Sequence, residues 1–117
     1  MLLPALDAVQ PGQWILKERG GPGAGRSMCV RDPRVLVQLE HGSGGCSQLV
    51  ISSGPPVTTV EYSCPGRGYG RTTIRVETPR LLQIETQGIY RNEPFARSIE
   101  ARRTGDCATI SGVNRPR

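Results

Sequence analysis

Between residues 47 and 104 the chain repeats short stretches of alternating apolar and polar residues, with turn-forming residues between them. Alternation with a period of two places the apolar side chains on one face of a β-strand. The pattern is clearest in 57–64 and 71–78, and Pro, Gly and Asn mark the turns. Successive strands joined by short turns form antiparallel meanders. We therefore predict a mainly β fold, with five to six strands in a single twisted antiparallel sheet or a small open barrel.

One segment departs from this pattern and has the features of a helix. Asp32 can cap a helix N-terminus, and Pro33 fits the first helical position, where no N–H is needed. Apolar residues then recur at helical spacing, and Gly42 can take the left-handed conformation that ends a helix. These features predict one short helix near residues 33–41.

The length of 117 residues supports one domain. We expect an N-terminal arm at 1–11, a single β-rich domain at 12–107 and a flexible tail at 108–117. The segment 95–104 fits either a helix or a strand, and the meander favours the strand. No apolar run approaches the roughly 18 residues needed for a membrane-spanning helix.

The four cysteines Cys29, Cys46, Cys64 and Cys107 indicate two disulfides in a chain of this size. None lies in a Cys-x-x-Cys pair and His41 is the only histidine, so we predict no metal site. Four cysteines allow three pairings, and the sequence alone leaves all three open. We expect Cys29–Cys46, which would flank the short helix, and Cys64–Cys107. Disulfides predict a periplasmic or secreted protein, although no signal peptide is visible in residues 1–8.

The net charge of +5 comes almost entirely from arginine, since Lys17 is the only lysine. Arginine binds phosphate in two-point contacts, but these arginines are spread along the chain, which disfavours nucleic-acid binding. If the surplus arginines of the second half converge on one sheet face, they form an anion-binding surface. The candidate ligand-binding residues are Arg71, Arg75, Arg97 and Arg103, with Tyr62 and Tyr69 beside them.

Two glycine-rich segments resemble nucleotide- or RNA-binding motifs. Residues 20–27 resemble a phosphate-binding loop with arginine in place of lysine, but no helix start follows, as that mechanism needs. Residues 65–71 resemble an Arg-Gly segment with a stacking tyrosine, but the segment occurs only once. We interpret both as hairpin connections.

No convincing catalytic constellation is present, and we predict no enzyme and no cofactor. His41 lies at a predicted helix end, where a histidine generally interacts with the last helical carbonyls. Glu61, Glu77 and Glu85 lie on separate strands, where two of them could face each other as an acid–base pair. Because they alternate with apolar residues, a solvated outer face is the favoured interpretation.

Several short motifs are spaced along residues 9–107. They are Pro11-Gly12-Gln13-Trp14 at the first strand, Cys29 before Asp32-Pro33, Cys46, Tyr62-Ser63-Cys64-Pro65-Gly66, Gln87-Gly88 and Gly105-Asp106-Cys107. As a set, this layout resembles an uncharacterised family of small secreted or periplasmic proteobacterial proteins, a domain of unknown function. The resemblance implies export, paired cysteines and a β-rich fold, and it supplies no activity and no catalytic residues.

The leading functional prediction is an exported, non-enzymatic β-domain that binds an envelope partner or a small ligand, which is anionic if the arginines converge. The alternative is a structural or interaction protein that forms homodimers through an exposed sheet edge. A hydrolase dependent on His41 and a nucleic-acid binder rank below both.

Overall fold

The computed structural model describes residues 3–21, 23–42 and 45–107. Its described chain forms a short α-helix, seven β-strands and one 3-10 helix. In chain order these are α1 Pro4–Asp7, β1 Gly12–Glu18, β2 Arg26–Val30, the 3-10 helix Pro33–Gln38, β3 Ser47–Ser52, β4 Val57–Cys64, β5 Gly68–Thr78, β6 Leu81–Tyr90 and β7 Glu93–Gly105.

All seven strands belong to one antiparallel sheet in the order β2-β1-β7-β6-β5-β4-β3. The prediction of a mainly β, antiparallel sheet is confirmed, but the sheet has seven strands rather than five to six. Strands β3 to β7 follow one another as a meander. The hairpin of β1 and β2 then pairs with β7, so β2 and β3 form the two edges. The segment 95–104 is a strand, as expected.

One face of the sheet carries the hydrophobic core, and we call it the inner face. Alternation in β1 buries Trp14 and Leu16 on this face. The two helices cover it. Leu3, Leu6 and Val9 of the N-terminal segment are buried in the same cluster, so residues 3–9 are part of the core. The opposite face, the outer face, is mostly polar and open to solvent.

The 3-10 helix begins as predicted, but it is shorter than the expected 33–41 and is not an α-helix. The Asp32 carboxylate accepts from the Arg34 amide at 3.0 Å and from the Arg34 guanidinium, and these contacts hold the Asp32 pKa below its usual value. At the other end, the Gln38 side chain donates to the Gly42 carbonyl at 2.6 Å.

The predicted disulfide pairing is wrong. Cys29 is bonded to Cys107, and Cys46 is bonded to Cys64. The reason is the sheet order: β1 lies between β2 and β7, and its register brings residue 29 and residue 105 opposite the same residue, Gln13. The 3-10 helix therefore lies inside the long loop closed by Cys29–Cys107 and outside the short loop closed by Cys46–Cys64. The expected flexible tail at 108–117 lies outside the described residues.

Candidate functional site

The four arginines predicted to bind a ligand lie on two opposite faces of the sheet. In β5, Arg71 and Arg75 alternate with buried Thr72 and project from the outer face. In β7, Arg97 shares the inner face with buried residues, because its register partner Thr86 is itself buried there. The strand pairing therefore does not bring the four arginines together on one surface.

The two inner-face arginines are held by neighbours in the fold. Arg97 contacts the Glu18 carboxylate at 2.8 Å and the Glu40 carboxylate at 2.9 Å, which balances its charge. Arg103 donates to the Pro11 carbonyl at 2.9 Å and bonds the Asp106 carboxylate at 2.7 Å. These contacts join β7 to the start of β1 and to the chain beyond β7, so they account for both residues structurally.

Tyr62 and Tyr69 are also separated by the sheet. Tyr62 is buried on the inner face, and burial raises its pKa to about 12. Its hydroxyl lies 2.9 Å from Nδ1 of His41, whose Nε2 lies 2.9 Å from the Ile89 carbonyl. Tyr69 is 57% exposed on the outer face. Of the predicted pair, only Tyr69 is positioned to meet a ligand from solvent.

His41 is a structural residue rather than an exposed base. Only 3% of it is exposed, and its ring packs edge-on against Tyr62 and Tyr90. A carbonyl oxygen only accepts, so His41 Nε2 donates to the Ile89 carbonyl, and Nδ1 forms a hydrogen bond with the Tyr62 hydroxyl. The ring thus binds a carbonyl of β6 rather than the last carbonyls of its helix. This arrangement satisfies both ring nitrogens.

The three glutamates considered as an acid–base pair are bound to other side chains on the outer side of the sheet. Glu61 pairs with Arg71, Glu85 pairs with Arg19, and Glu77 accepts from the Gln83 amide at 3.1 Å. Their solvated positions confirm the interpretation made from their alternation.

The two glycine-rich segments connect hairpins, as the sequence pattern indicates. Residues 19–25 link β1 to β2, and a strand rather than a helix follows. Residues 65–67 link β4 to β5. Arg67 of the second turn donates to the His41 carbonyl at 2.8 Å. That contact fastens the turn to the chain leaving the 3-10 helix.

A groove of about 800 Å³ lies on the outer face across β3 to β6. Two adjoining rows of side chains form it, because Ser63, Tyr69 and Ile89 are register neighbours, as are Leu49, Glu61 and Arg71. We call it the outer groove, defined by Leu49, Glu61, Ser63, Tyr69, Arg71 and Ile89.

The outer groove combines apolar walls with one ion pair. Leu49 is 61% exposed and Tyr69 is 57% exposed, although large apolar side chains are mostly buried in this protein. Within the groove, Nε and one terminal nitrogen of Arg71 lie 3.0 and 2.5 Å from the same Glu61 carboxylate oxygen. An apolar surface beside a charged group suits an amphiphilic ligand.

The close approach of β5 and β6 below the groove depends on glycine. A β-carbon at Gly88 would fall on the Tyr69 carbonyl and 2.6 Å from the Gly70 Cα. A β-carbon at Gly70 would lie 2.5 Å from the Tyr62 hydroxyl on the inner face. Gly88 therefore allows the close approach of β5 and β6, and Gly70 leaves room for the Tyr62 side chain.

Sequence reasoning identified Arg71 and Tyr69 but missed Leu49 and Ile89. One signal was present: Leu49, Val50 and Ile51 are consecutive apolar residues in one strand, so alternation must turn at least one of them outward. In the structure Val50 packs against the core, while Leu49 and Ile51 are exposed.

No metal centre or membrane-spanning helix is found in the described ranges. Residues 3–21, 23–42 and 45–107 contain no group of three or more His, Cys, Asp or Glu placed to hold a metal. None of the helices formed by these residues is long and apolar enough to cross a membrane. Comparisons of the chain with family models, curated proteins and solved structures gave no match.

Proposed function

We propose that this protein is an exported, non-enzymatic binding module of the cell envelope that takes a small amphiphilic ligand in the outer groove. The observation that carries the proposal is the exposure of Leu49 and Tyr69 next to the Arg71–Glu61 ion pair. The apolar body of the ligand lies against Leu49, Tyr69 and Ile89, and its anionic group binds Arg71.

The dimensions of the outer groove and the donors of Arg71 support this class of ligand. Its volume of about 800 Å³ falls within the range typical of small-molecule sites. A guanidinium has five N–H donors, and Glu61 engages only the Nε and one terminal nitrogen of Arg71. The remaining donors can bind an anionic group without breaking the ion pair, and such charge-assisted bonds are strong.

Export is supported by the two disulfides, since disulfides persist mainly in oxidising compartments. The resemblance of the cysteine and turn motifs to a family of small periplasmic or secreted proteobacterial proteins supports the same proposal. An envelope location would give the outer groove access to lipids, cell-wall fragments and other amphiphiles.

Anilinonaphthalene sulfonate is a suitable probe, because it joins an apolar aromatic body to a single anionic group. We expect saturable binding to the folded protein, measured as dye fluorescence. Arg71→Gln should weaken binding by about tenfold, which is roughly 1.4 kcal/mol for one charge-assisted contact. Leu49→Ser should weaken it through the loss of apolar contact. Circular dichroism spectra verify that each variant is folded.

Arg75→Gln is the matched control, because Arg75 lies on the same strand and the same face but outside the groove. It removes the same positive charge, so we expect only the weak, long-range electrostatic effect of that charge on dye binding. A neutral naphthylamine without the sulfonate should bind the wild type and Arg71→Gln equally. If Arg75→Gln and Arg71→Gln weaken dye binding to the same extent, dye binding depends only on the net charge, and the outer groove is not the binding site.

A further inference from the structure

The edge strand β3 presents unpaired backbone groups beside exposed apolar side chains. β3 is the last strand of the sheet and pairs only with β4 among the described strands. Its free edge therefore carries a row of N–H and C=O groups facing away from the sheet. Such an edge is a template for pairing with another strand.

The residues of β3 lack most features that protect an edge from pairing. Ser47–Ser52 contains no charged residue, no proline and no glycine. Proteins commonly place lysine, proline or a bulge at such positions. A register shift between Val50 and Ser52 leaves 47–50 as the regular part of the strand. This regular part is long enough to pair with an equally short strand.

The opposite edge of the sheet, β2, differs from β3 in carrying a charged residue. β2 begins with the exposed Arg26, and its Ser27 hydroxyl accepts from the Gln13 amide at 2.6 Å. The Cys29–Cys107 disulfide holds the chain beyond β7 next to it. These differences between the two edge strands indicate that β3, rather than β2, is the edge at which another strand can pair.

The side chains of β3 indicate that the incoming strand is apolar on one face. Leu49 is 61% exposed and Ile51 is 46% exposed, and Tyr69 lies two strands away on the outer face. These are the three large apolar side chains that the described part of the chain leaves exposed. Leu49 and Ile51 lie on β3 itself, where an incoming strand would cover them, whereas Tyr69 lies farther inside the sheet.

We propose that β3 pairs antiparallel with β3 of a second copy of this chain, which joins two seven-stranded sheets through their edges. A two-fold axis makes two copies of one strand antiparallel, so the interface is closed and self-complementary. Leu49 of each copy then lies on the same outer face as its counterpart. This inference does not rest on the proposed ligand.

The distribution of charge favours a second copy over an acidic partner. The chain carries a net charge of +5, so two copies repel each other over most of their surfaces. The β3 edge is an exception, because the strand is uncharged and the neighbouring Arg71 is paired with Glu61. Two copies can meet there with little electrostatic repulsion, whereas an acidic partner would bind more strongly to the positively charged parts of the surface.

Sedimentation velocity of the full chain with both disulfides intact tests the proposal. From low micromolar to millimolar concentration, we expect a reversible shift from monomer to dimer. Leu49→Lys should raise the dissociation constant by about tenfold or more, because the two-fold axis introduces two like charges at the paired edges. Amide hydrogen exchange at residues 47–50 should slow as the dimer forms, while exchange at 26–30 stays unchanged.

Ala96→Lys is the matched control, because Ala96 is exposed on the outer face in β7, four strands from β3. It adds the same charge and should leave the dissociation constant unchanged. A monomer at every concentration would overturn the proposal, and so would a dimer that Leu49→Lys and Ala96→Lys weaken equally. Ile89→Ser, in the outer groove but three strands from β3, should weaken dye binding but not dimerisation, so a failure of either proposal can be recognised separately.

Discussion

The disulfide between Cys29 and Cys107 should contribute more to stability than the one between Cys46 and Cys64. The bonded cysteines are separated by 78 residues in the first case and by 18 in the second. A cross-link stabilises mainly by restricting the unfolded chain, and the effect grows with the logarithm of the loop length. From these separations, we expect losses of about 4.5 kcal/mol for the first and about 3 kcal/mol for the second.

Urea unfolding of two double variants measures this difference. Cys29→Ala/Cys107→Ala removes the long loop, and Cys46→Ala/Cys64→Ala removes the short one. Trp14 is the only tryptophan and is fully buried, so its fluorescence reports the unfolding of the core. Small domains have total stabilities of about 5–15 kcal/mol, so loss of the long-range bond should leave the protein marginally stable.

The bonded pairs can be verified independently by a tryptic digest without reduction. Cys46 and Cys64 both fall in the fragment 35–67, whereas Cys29 falls in 27–31 and Cys107 falls in 104–117. The structure therefore predicts one cross-linked pair of fragments and one fragment that is two hydrogens lighter than its reduced form. Pairing of Cys29 with Cys46 would instead link three fragments together.

Two results would refute the reasoning about loop length. One is a loss of less than about 1 kcal/mol when the Cys29–Cys107 bond is removed. The other is a clearly larger loss for the short loop than for the long one after the packing of Cys64 is accounted for. Cys64 is 1% exposed, so its truncation to alanine adds a small packing loss.

Three further substitutions test the interior of the sheet. Between pH 10.0 and 12 the unfolded chain ionises Tyr62, while the folded chain keeps it neutral. About 2–3 kcal/mol of the folding stability present below pH 10.0 is therefore lost as pH rises through 12. Tyr62→Phe should lose correspondingly less stability over the same pH range. Thr72→Val removes the hydroxyl that donates to the buried Val37 carbonyl at 2.6 Å, and should cost about 1–3 kcal/mol in urea unfolding. Gly88→Ala places a β-carbon against the Tyr69 carbonyl, and should lower stability by about 2 kcal/mol or more.

Matched substitutions define the expected null results. Thr59→Val removes a hydroxyl whose bond to Thr73 lies on the outer face, and should change stability by less than about 0.5 kcal/mol. At Gly54 a β-carbon would meet no heavy atom within 4 Å, so Gly54→Ala should be tolerated. Equal losses of stability in Thr59→Val and Thr72→Val would contradict the argument that the burial of a hydroxyl determines the cost of removing it. Normal stability of Gly88→Ala would contradict the argued close approach of β5 and β6.

The candidate site could be predicted only in part. Alternation in β5 is enough to place Arg71 on a solvated face, and it places Tyr69 on the same face. The same parity argument in β7 puts Arg97 with Ile99, which is buried, so the sequence already contained the reason why the arginines separate. The groove itself could be predicted only with the strand order known, because the pairing of β3 with β4 and of β4 with β5 places Leu49 and Arg71 on either side of Glu61.

The sequence by itself determined the local structure of this protein. Period-two alternation defined most of the strands, and Asp32 with Pro33 defined the start of the 3-10 helix, because these features depend on neighbouring residues alone. Tertiary structure decided the order of the strands. The β1–β2 hairpin pairs with the distant β7, and that pairing brings Cys29 to Cys107 across 78 residues. Strand order is a long-range property, because it depends on which faces bury the most apolar surface together, and no local pattern encodes it.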